Sequence, residues 1–475
     1  MSTARAQGGG SPAGPASAGA ASATRAAWML GPALVAGVAY LDPGNVASNM
    51  TAGARYGYLL VWVVVLANVM AWLIQYLSAK LGVVTGQSLP QLLGTRIRRR
   101  PARIAFWLQA ELVAMATDIA EVIGGAVALN LLFDLPLVVG GLITGLVSIG
   151  LLAVQSRRGP RTFEFVIIGL LVVIAVGFSV GVLIAPPDAA GVLSGLVPRF
   201  TDADSVLLAA SILGATIMPH AIYAHSALAR DRWAGVVRTD GAPGQDANAE
   251  TPLASPNRDE RRSVAELQRH STDDQHRSTD EITTAAVRPL STDRLLRATR
   301  WDVSIAMIIA GTVNLCILLL AAANLAGVPG TDSLEGAYRA IADGIGPVVA
   351  TLFAVGLLAS GLASTSVGAY AGAEIMQGLL RIRLPMIARR LITLIPAIAI
   401  LALGFDPTRS LVISQVVLSF GIPFALIPLV WLTSRPTLLG RWSNRRTTTA
   451  AGILAAVFLI GLNATLLALL LSGPS

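Results

Sequence analysis

Charge is scarce in this chain. Of its 475 residues only 13% are Asp, Glu, Lys or Arg, about half of the roughly 25% that a soluble globular protein carries. That shortage, beside 54% hydrophobic residues and a mean hydropathy of +0.67, excludes an ordinary water-soluble fold and defines a membrane protein. Cysteine is scarcer still: Cys316 stands alone in an apolar stretch, so no disulfide framework exists. Histidine occurs four times and no HExxH pattern is present. An intramembrane metalloenzyme therefore has little to build on, because His220 and His225 lie five apart beside a proline, a poor two-ligand helical face. A signal peptide is also missing, since the apolar run that begins near residue 27 is a full span without a cleavage pattern.

What the sequence does contain is a series of about eleven apolar stretches near the roughly 20 residues that cross a hydrocarbon core. They cover 27 to 51, 57 to 80, 104 to 130, 135 to 155, 162 to 186, 205 to 230, 300 to 326, 345 to 379, 385 to 404, 409 to 433 and 447 to 471. Arginine collects in alternate connections, "TRIRRRPAR", "SRRGPR", "RIRLPMIARR" and "SRPTLLGRWSNRR", while the others are acidic or bland. Because cytoplasmic loops hold the excess of Lys and Arg, this predicts a cytoplasmic N-terminus and an exterior C-terminus, and the absence of organelle-targeting features makes the plasma membrane the expected address of this multi-pass protein. The net charge of +8 then reflects topology and not nucleic-acid binding. Residues 1–26, rich in Gly, Ala, Ser and Pro, read as a disordered tail, and 231–297 as a mostly disordered cytoplasmic loop. His270 and His276 in "RHSTDDQHRSTDE" invite a metal-site reading, but nothing apolar there would order the ligands, and a solvated loop is preferred.

Two spans carry residues that do not belong in lipid. The first contains "LDPGN": Pro43 removes an amide N–H and disfavours helix at Asp42, and Gly44 permits unwinding. A carboxylate at that depth costs at least about 2.5 kcal/mol on insertion scales, so a functional role is the default. The sixth span contains "SILGATIMPHAIYAHS", with Pro219 directly after Met218. Breaks at corresponding positions five spans apart point to an inverted-repeat transporter, with repeats at 27–186 and 205–433 and an added helix at 447–471. Unwound backbone survives at membrane depth only when it is buried in protein or lines a cavity.

The donors at these breaks are Asp42, Asn45, the thioether of Met218, and freed carbonyls expected at Ala39 and Ala215. Oxygens alone suit Mg(II) or Ca(II), whereas sulfur favours softer metals, so the mixed set suggests Mn(II) or Fe(II) as cargo. In the third span Glu111, Asp118 and Glu121 are spaced by seven and three residues, along one helical face. Three such carboxylates need partners to stay ionised, and Arg389 and Arg390 can supply them.

"DPGN" and "MPHAIYAHS" together resemble the signature of the NRAMP family, proton-coupled divalent metal transporters. The resemblance runs over roughly 27–433, through "QYLSAKLGVVTGQSL", "ATDIAEVIGGAVALN", "GLASTSVGAYAGAEIMQGLL", "ARRLITLIPA" and "SQVVLSFGIPFALIPL". It implies an all-α LeuT-like fold of five plus five inverted repeats with an eleventh helix, the first and sixth helices broken at Pro43, Gly44 and Pro219. It further implies that Asp42, Asn45 and Met218 bind the metal with the Ala39 and Ala215 carbonyls, and that Gln415 joins in one conformation. The proton route would run from Asp42 and His220 through Asp118, Glu121, Glu111, Arg389 and Arg390, with His225 further along the sixth span. Two positions depart from the pattern: Ala221 stands where asparagine is frequent and Ala373 where glutamine is common. Neither removes an implied ligand, so fine selectivity is what they put in question.

The expectation is thus a proton-coupled importer of Mn(II) and Fe(II) working by alternating access. It is not an enzyme and needs no cofactor, nucleic acid or obligate protein partner. A sodium-coupled amino-acid transporter of the same fold would share the breaks but present neutral, small polar groups to its substrate. A channel would need no proton network.

Overall fold

In lipid every backbone polar group must be satisfied internally, which leaves an apolar chain the helix or the closed barrel; every regular element among the described residues is helical. The computed structural model describes residues 32–158, 160–233, 291–382 and 384–472. The tail, most of the 231–297 stretch, and His270 and His276 with it, lie outside the described residues.

The first span is two pieces, α1 (Pro32–Val38) and α2 (Pro43–Tyr56), joined by a 3₁₀ turn at Ala39–Leu41 and by Asp42 in extended conformation. There follow α3 (Val61–Thr85), the short α4 (Leu89–Arg96), α5 (Arg100–Phe133), α6 (Leu137–Arg158), α7 (Pro160–Ile184) and a surface turn of helix, α8 (Ala189–Ser194). The sixth span is again divided, into α9 (Ala203–Ile217) and α10 (Pro219–Trp233), with Met218 between them. The remainder comprises α11 (Thr292–Asn324), α12 (Leu334–Gly344), α13 (Pro347–Leu380), α14 (Met386–Ala402), α15 (Pro407–Thr433), α16 (Pro436–Leu439) and α17 (Arg446–Ser472). Both ends of the stretch read as a loop are therefore helical: α10 runs on to Trp233 and α11 begins at Thr292.

By length and composition eight helical stretches among the described residues can cross a membrane, against about eleven expected. The difference has local causes. The break shortens the first span, so that Pro43–Thr85 forms one continuous apolar stretch; α6 offers only the shorter Leu137–Ala153; and α14 has 17 residues, roughly 26 Å of helix against a core of about 30 Å.

Packing encloses the two broken spans. The long α13 lies along α5 and α7, α11 along α2 and α3, and α15 along α9 and α17. Proline explains how α17 is held. Pro423, inside α15, has no N–H for the carbonyl four residues earlier, that of Ser419. Asn463 of α17 fills the gap: its Nδ2 donates to Ser419 O at 3.0 Å, and its Oδ1 accepts from the Ser419 hydroxyl at 2.8 Å. Asn463→Leu strips both bonds from buried groups, and we expect a loss of about 1–2 kcal/mol, seen as a lower thermal unfolding midpoint in detergent. An unchanged midpoint would mean that α17 is held by apolar packing alone.

Candidate functional site

The two breaks are built alike. Asp42 ends the 3₁₀ turn and caps α2, its carbonyl accepting from Asn45 N at 3.1 Å and Val46 N at 3.2 Å. Met218 ends α9 and precedes α10, its carbonyl accepting from Ala221 N at 3.1 Å and Ile222 N at 3.3 Å. In each case proline opens the second half-helix, where its missing N–H is tolerated. That same missing N–H deprives the carbonyl four residues earlier of its helical donor; those carbonyls belong to Ala39 and Ala215. Negative helix ends at Ala39 and Ala215 thus converge with the positive ends of α2 and α10, an arrangement that suits a cation beside a carboxylate. Met218 sits at φ 36°, ψ 101° and is fully buried. A positive φ strains a side chain of this size by about 1–3 kcal/mol, the sort of cost that is kept at functional positions.

Asp42, Asn45, Met218 and Gln415 are all inaccessible to solvent. One Asp42 oxygen accepts from its own cap partner, Asn45 N, at 2.8 Å; the other accepts from Gln415 Nε2 at 3.0 Å. Gln415, from α15, is wedged between the breaks. A Cβ on Gly214 would come within 1.9 Å of its carbonyl oxygen, so only glycine fits there, and one on Gly44 would come within 1.7 Å of its Nε2 and push the amide from its present place. Gln415 Oε1 is buried without a hydrogen-bond partner. Asn45 is more committed: its amide donates to Tyr40 O, and its oxygen accepts from Asn49 Nδ2 at 2.7 Å. The carbonyls freed by unwinding find side chains from other helices. Tyr40 O also accepts from Asn314 of α11 at 3.1 Å, and Leu41 O accepts from the Ser360 hydroxyl of α13.

A second buried cluster lies between α5, α13 and α14. Arg390 donates through Nη1 to Asp118 and Glu121, both at 3.1 Å, through Nε to Ser148 at 3.0 Å and through Nη2 to Thr365 at 3.2 Å. Arg389 pairs with Glu111 at 2.9 Å and lies 3.6 Å from Asp118. Three carboxylates face two guanidiniums, which in a low-dielectric interior leaves one negative charge uncompensated if all are ionised. His220 links this cluster to the sixth-span break, its Nδ1 lying 3.2 Å from Thr117, the residue before Asp118. His225 is placed elsewhere: its Nδ1 is 2.8 Å from Gln75 Oε1 of α3, and its Nε2 has no partner.

At one end of the bundle a cavity of about 530 Å³ opens above the breaks, lined by Thr51, Arg55, Asp204, Asp332, Asp406 and Arg409 among others. Arg55, at the end of α2, bridges Asp204 at 3.2 Å and Asp332 at 3.0 Å.

Several participants were not singled out from sequence. Asn314 carried the same signal as Asp42, a polar side chain deep in an apolar span. Ser360, Thr117, Ser148 and Thr365 carried none, because small hydroxyls are ordinary at helix interfaces in membranes. Gln75 lay in the quoted "QYLSAK" run without a role.

Two discontinuous helices meeting at a buried carboxylate, with neighbouring helices wrapped around them, are the arrangement of the LeuT-like transporter fold. The fold extends to MhsT, solved with L-phenylalanine, at TM-score 0.55 over 94% of this chain and 98% of that one, though only 12% of residues are identical. Residues 33–469 match the family model described as natural resistance-associated macrophage protein-like, and the chain belongs to that Nramp family. The divalent metal cation transporter MntH of Mycobacterium tuberculosis is 55% identical over 446 residues, 94% of this chain and 92% of the relative. The manganese transporter of Eremococcus coleocola is 29% identical, with TM-score 0.73 over 95% of this chain and 87% of that one. The protein is accordingly a multi-pass membrane transporter and not an enzyme.

Proposed function

We propose that the protein imports Mn(II), and Fe(II) alongside it, across the plasma membrane by alternating access coupled to protons, with its N-terminus cytoplasmic and its C-terminus exterior. One observation carries the reading: a buried carboxylate and a strained thioether occupy equivalent caps of two broken helices. The names of the relatives, divalent metal cation transporter and manganese transporter, support it, as does the alternation of arginine-rich and acidic connections.

Metal arrives through this cavity, whose three carboxylates, Asp204, Asp332 and Asp406, outnumber its two arginines, Arg55 and Arg409, and leave it net negative. At the breaks it meets Asp42, the Met218 sulfur and the Ala39 and Ala215 carbonyls. Gln415 now donates an N–H to Asp42; rotating its amide would offer the unpartnered Oε1 to a cation instead. Asn45 can join by releasing Asn49 from its oxygen. Asp42 ligates metal only when deprotonated, and its proton passes by His220 and Thr117 to Asp118 and the Arg390 cluster, whose uncompensated charge suits it to receive one. An amino-acid carrier of this fold lacks a use for the acid and thioether pair.

The Met218 sulfur is the element that discriminates. In Met218→Ala, Mn(II) uptake into proteoliposomes persists while Ca(II), inert against the wild type, becomes a competitor, because an all-oxygen site no longer favours softer metals. Unchanged selectivity would remove the thioether from the site.

A further inference from the structure

The outer surface of α15 is not a uniform lipid-facing wall. Phe420, Phe424, Ile427 and Trp431 follow one another at steps of four, three and four, which sets them in a single line, and they are between 39% and 49% exposed. Phe420, Phe424 and Ile427 of this line, with Phe106 of α5 and Ile460, Ala464 and Leu467 of α17, border a concave apolar groove of about 550 Å³, and Trp431 continues the line about one turn past Ile427. That volume is the size of a ligand site. Pro423 and Pro428 interrupt the bonding of α15 within this groove, as expected where a helix bends.

The line ends in charge. The Arg435 guanidinium lies 3.9 Å from the centroid of the Trp431 ring, and that of Arg96, from α4, lies 5.3 Å from it. Both arginines are exposed, and no carboxylate among the described residues pairs with either. Arg98, Arg99 and Arg100 follow Arg96 closely in the chain. From Phe420 to Trp431 the helix rises roughly 16 Å, close to half of the about 30 Å hydrocarbon core. Tryptophan favours the headgroup level, and guanidinium forks favour phosphate oxygens. The stripe is therefore one leaflet deep, apolar along its length and cationic at the interface.

We propose that this groove binds an anionic phospholipid, one acyl chain lying along Phe420, Phe424 and Ile427 and the phosphate held by Arg96 and Arg435. Basic pockets at the arginine-rich side of helix bundles select anionic headgroups. An occupant here braces α15, the helix that also carries Gln415, little more than one turn before Phe420.

Native mass spectrometry of the full-length protein in detergent tests this, with phosphatidylglycerol and phosphatidylcholine of identical chains as probes. One phosphatidylglycerol is expected to stay bound at collision energies that strip phosphatidylcholine. In the Arg96→Gln/Arg435→Gln double variant its affinity falls about tenfold or more, to the level of phosphatidylcholine. Ala464→Phe, which leaves both arginines in place and fills the groove, lowers retention of both lipids. Equal binding of the two lipids by the wild type, or a preference that survives the double variant, would overturn the proposal. Displacement of the lipid by millimolar inorganic phosphate would also overturn it, because the arginines would then form a simple phosphate site.

Discussion

Asp42→Ala protein takes up no Mn(II) above the level of protein-free vesicles. Asp42 is the one formal negative charge at the paired breaks, with no access to water and both oxygens within hydrogen-bond reach of Asn45 N or Gln415 Nε2. A divalent ion stripped of its water needs a compensating anion, and the cost of burying an ion without one exceeds what neutral donors return. Asn45, Met218 and carbonyl oxygens would still be present, so the variant distinguishes charge from shape. Asp42→Asn, which keeps the shape, should fail as completely. Asp42→Ala also removes the cap acceptor for Asn45 N, worth about 1 kcal/mol, and so unfolds at a somewhat lower temperature while remaining folded, whereas the amide oxygen of Asp42→Asn can still cap. Isothermal titration in detergent should accordingly show no Mn(II) binding to folded Asp42→Ala protein. Wild-type affinity in that variant would move the metal site away from the first break.

Arg390→Leu is expected to have the largest effect on stability. The Arg390 side chain is about 1% exposed and holds Asp118, Glu121, Ser148 and Thr365 at once. Removing one partner of a buried ionic group costs about 3–5 kcal/mol, since the remaining charges stay uncompensated. Asp118 and Glu121 would then face each other with only Arg389, 3.6 Å from Asp118, to offset them, and the guanidinium that holds both acids in place would be gone. Acids no longer held in line by a shared guanidinium cannot pass a proton between them. The variant should therefore unfold at a clearly lower temperature and, where it folds, move Mn(II) without acidifying the lumen. Arg390→Lys restores the charge but not the fork and should recover stability only in part. Full stability in Arg390→Leu would mean that the cluster is already neutral.

The sequence made some features plain because their physics is local. A proline after an acid or a thioether inside an apolar span announces a break wherever the rest of the chain goes, and "LDPGN" and "IMPH" did so. Carboxylates seven and three apart share a helix face whatever packs against it. Other features depend on what the fold brings across from distant segments. Ser360 and Asn314 reach the carbonyls freed at Leu41 and Tyr40 from α13 and α11, and no local pattern connects them. His225 illustrates the limit differently: its place on the sixth span was clear, but its partner, Gln75, lies 150 residues away. The Arg55 bridge to Asp204 and Asp332 was equally hidden, being made of ordinary charges at two helix ends and a turn until three segments meet.

The most direct measurement follows Mn(II) uptake into proteoliposomes that enclose a pH-sensitive dye, with wild type and Asp42→Ala side by side and excess Ca(II) present. Coupling through Asp42 predicts saturable uptake that acidifies the lumen in the wild type, ignores Ca(II), and disappears together with the acidification in the variant. Wild-type uptake with no pH change would separate protons from the metal, and uptake that persists in Asp42→Ala would contradict the site itself.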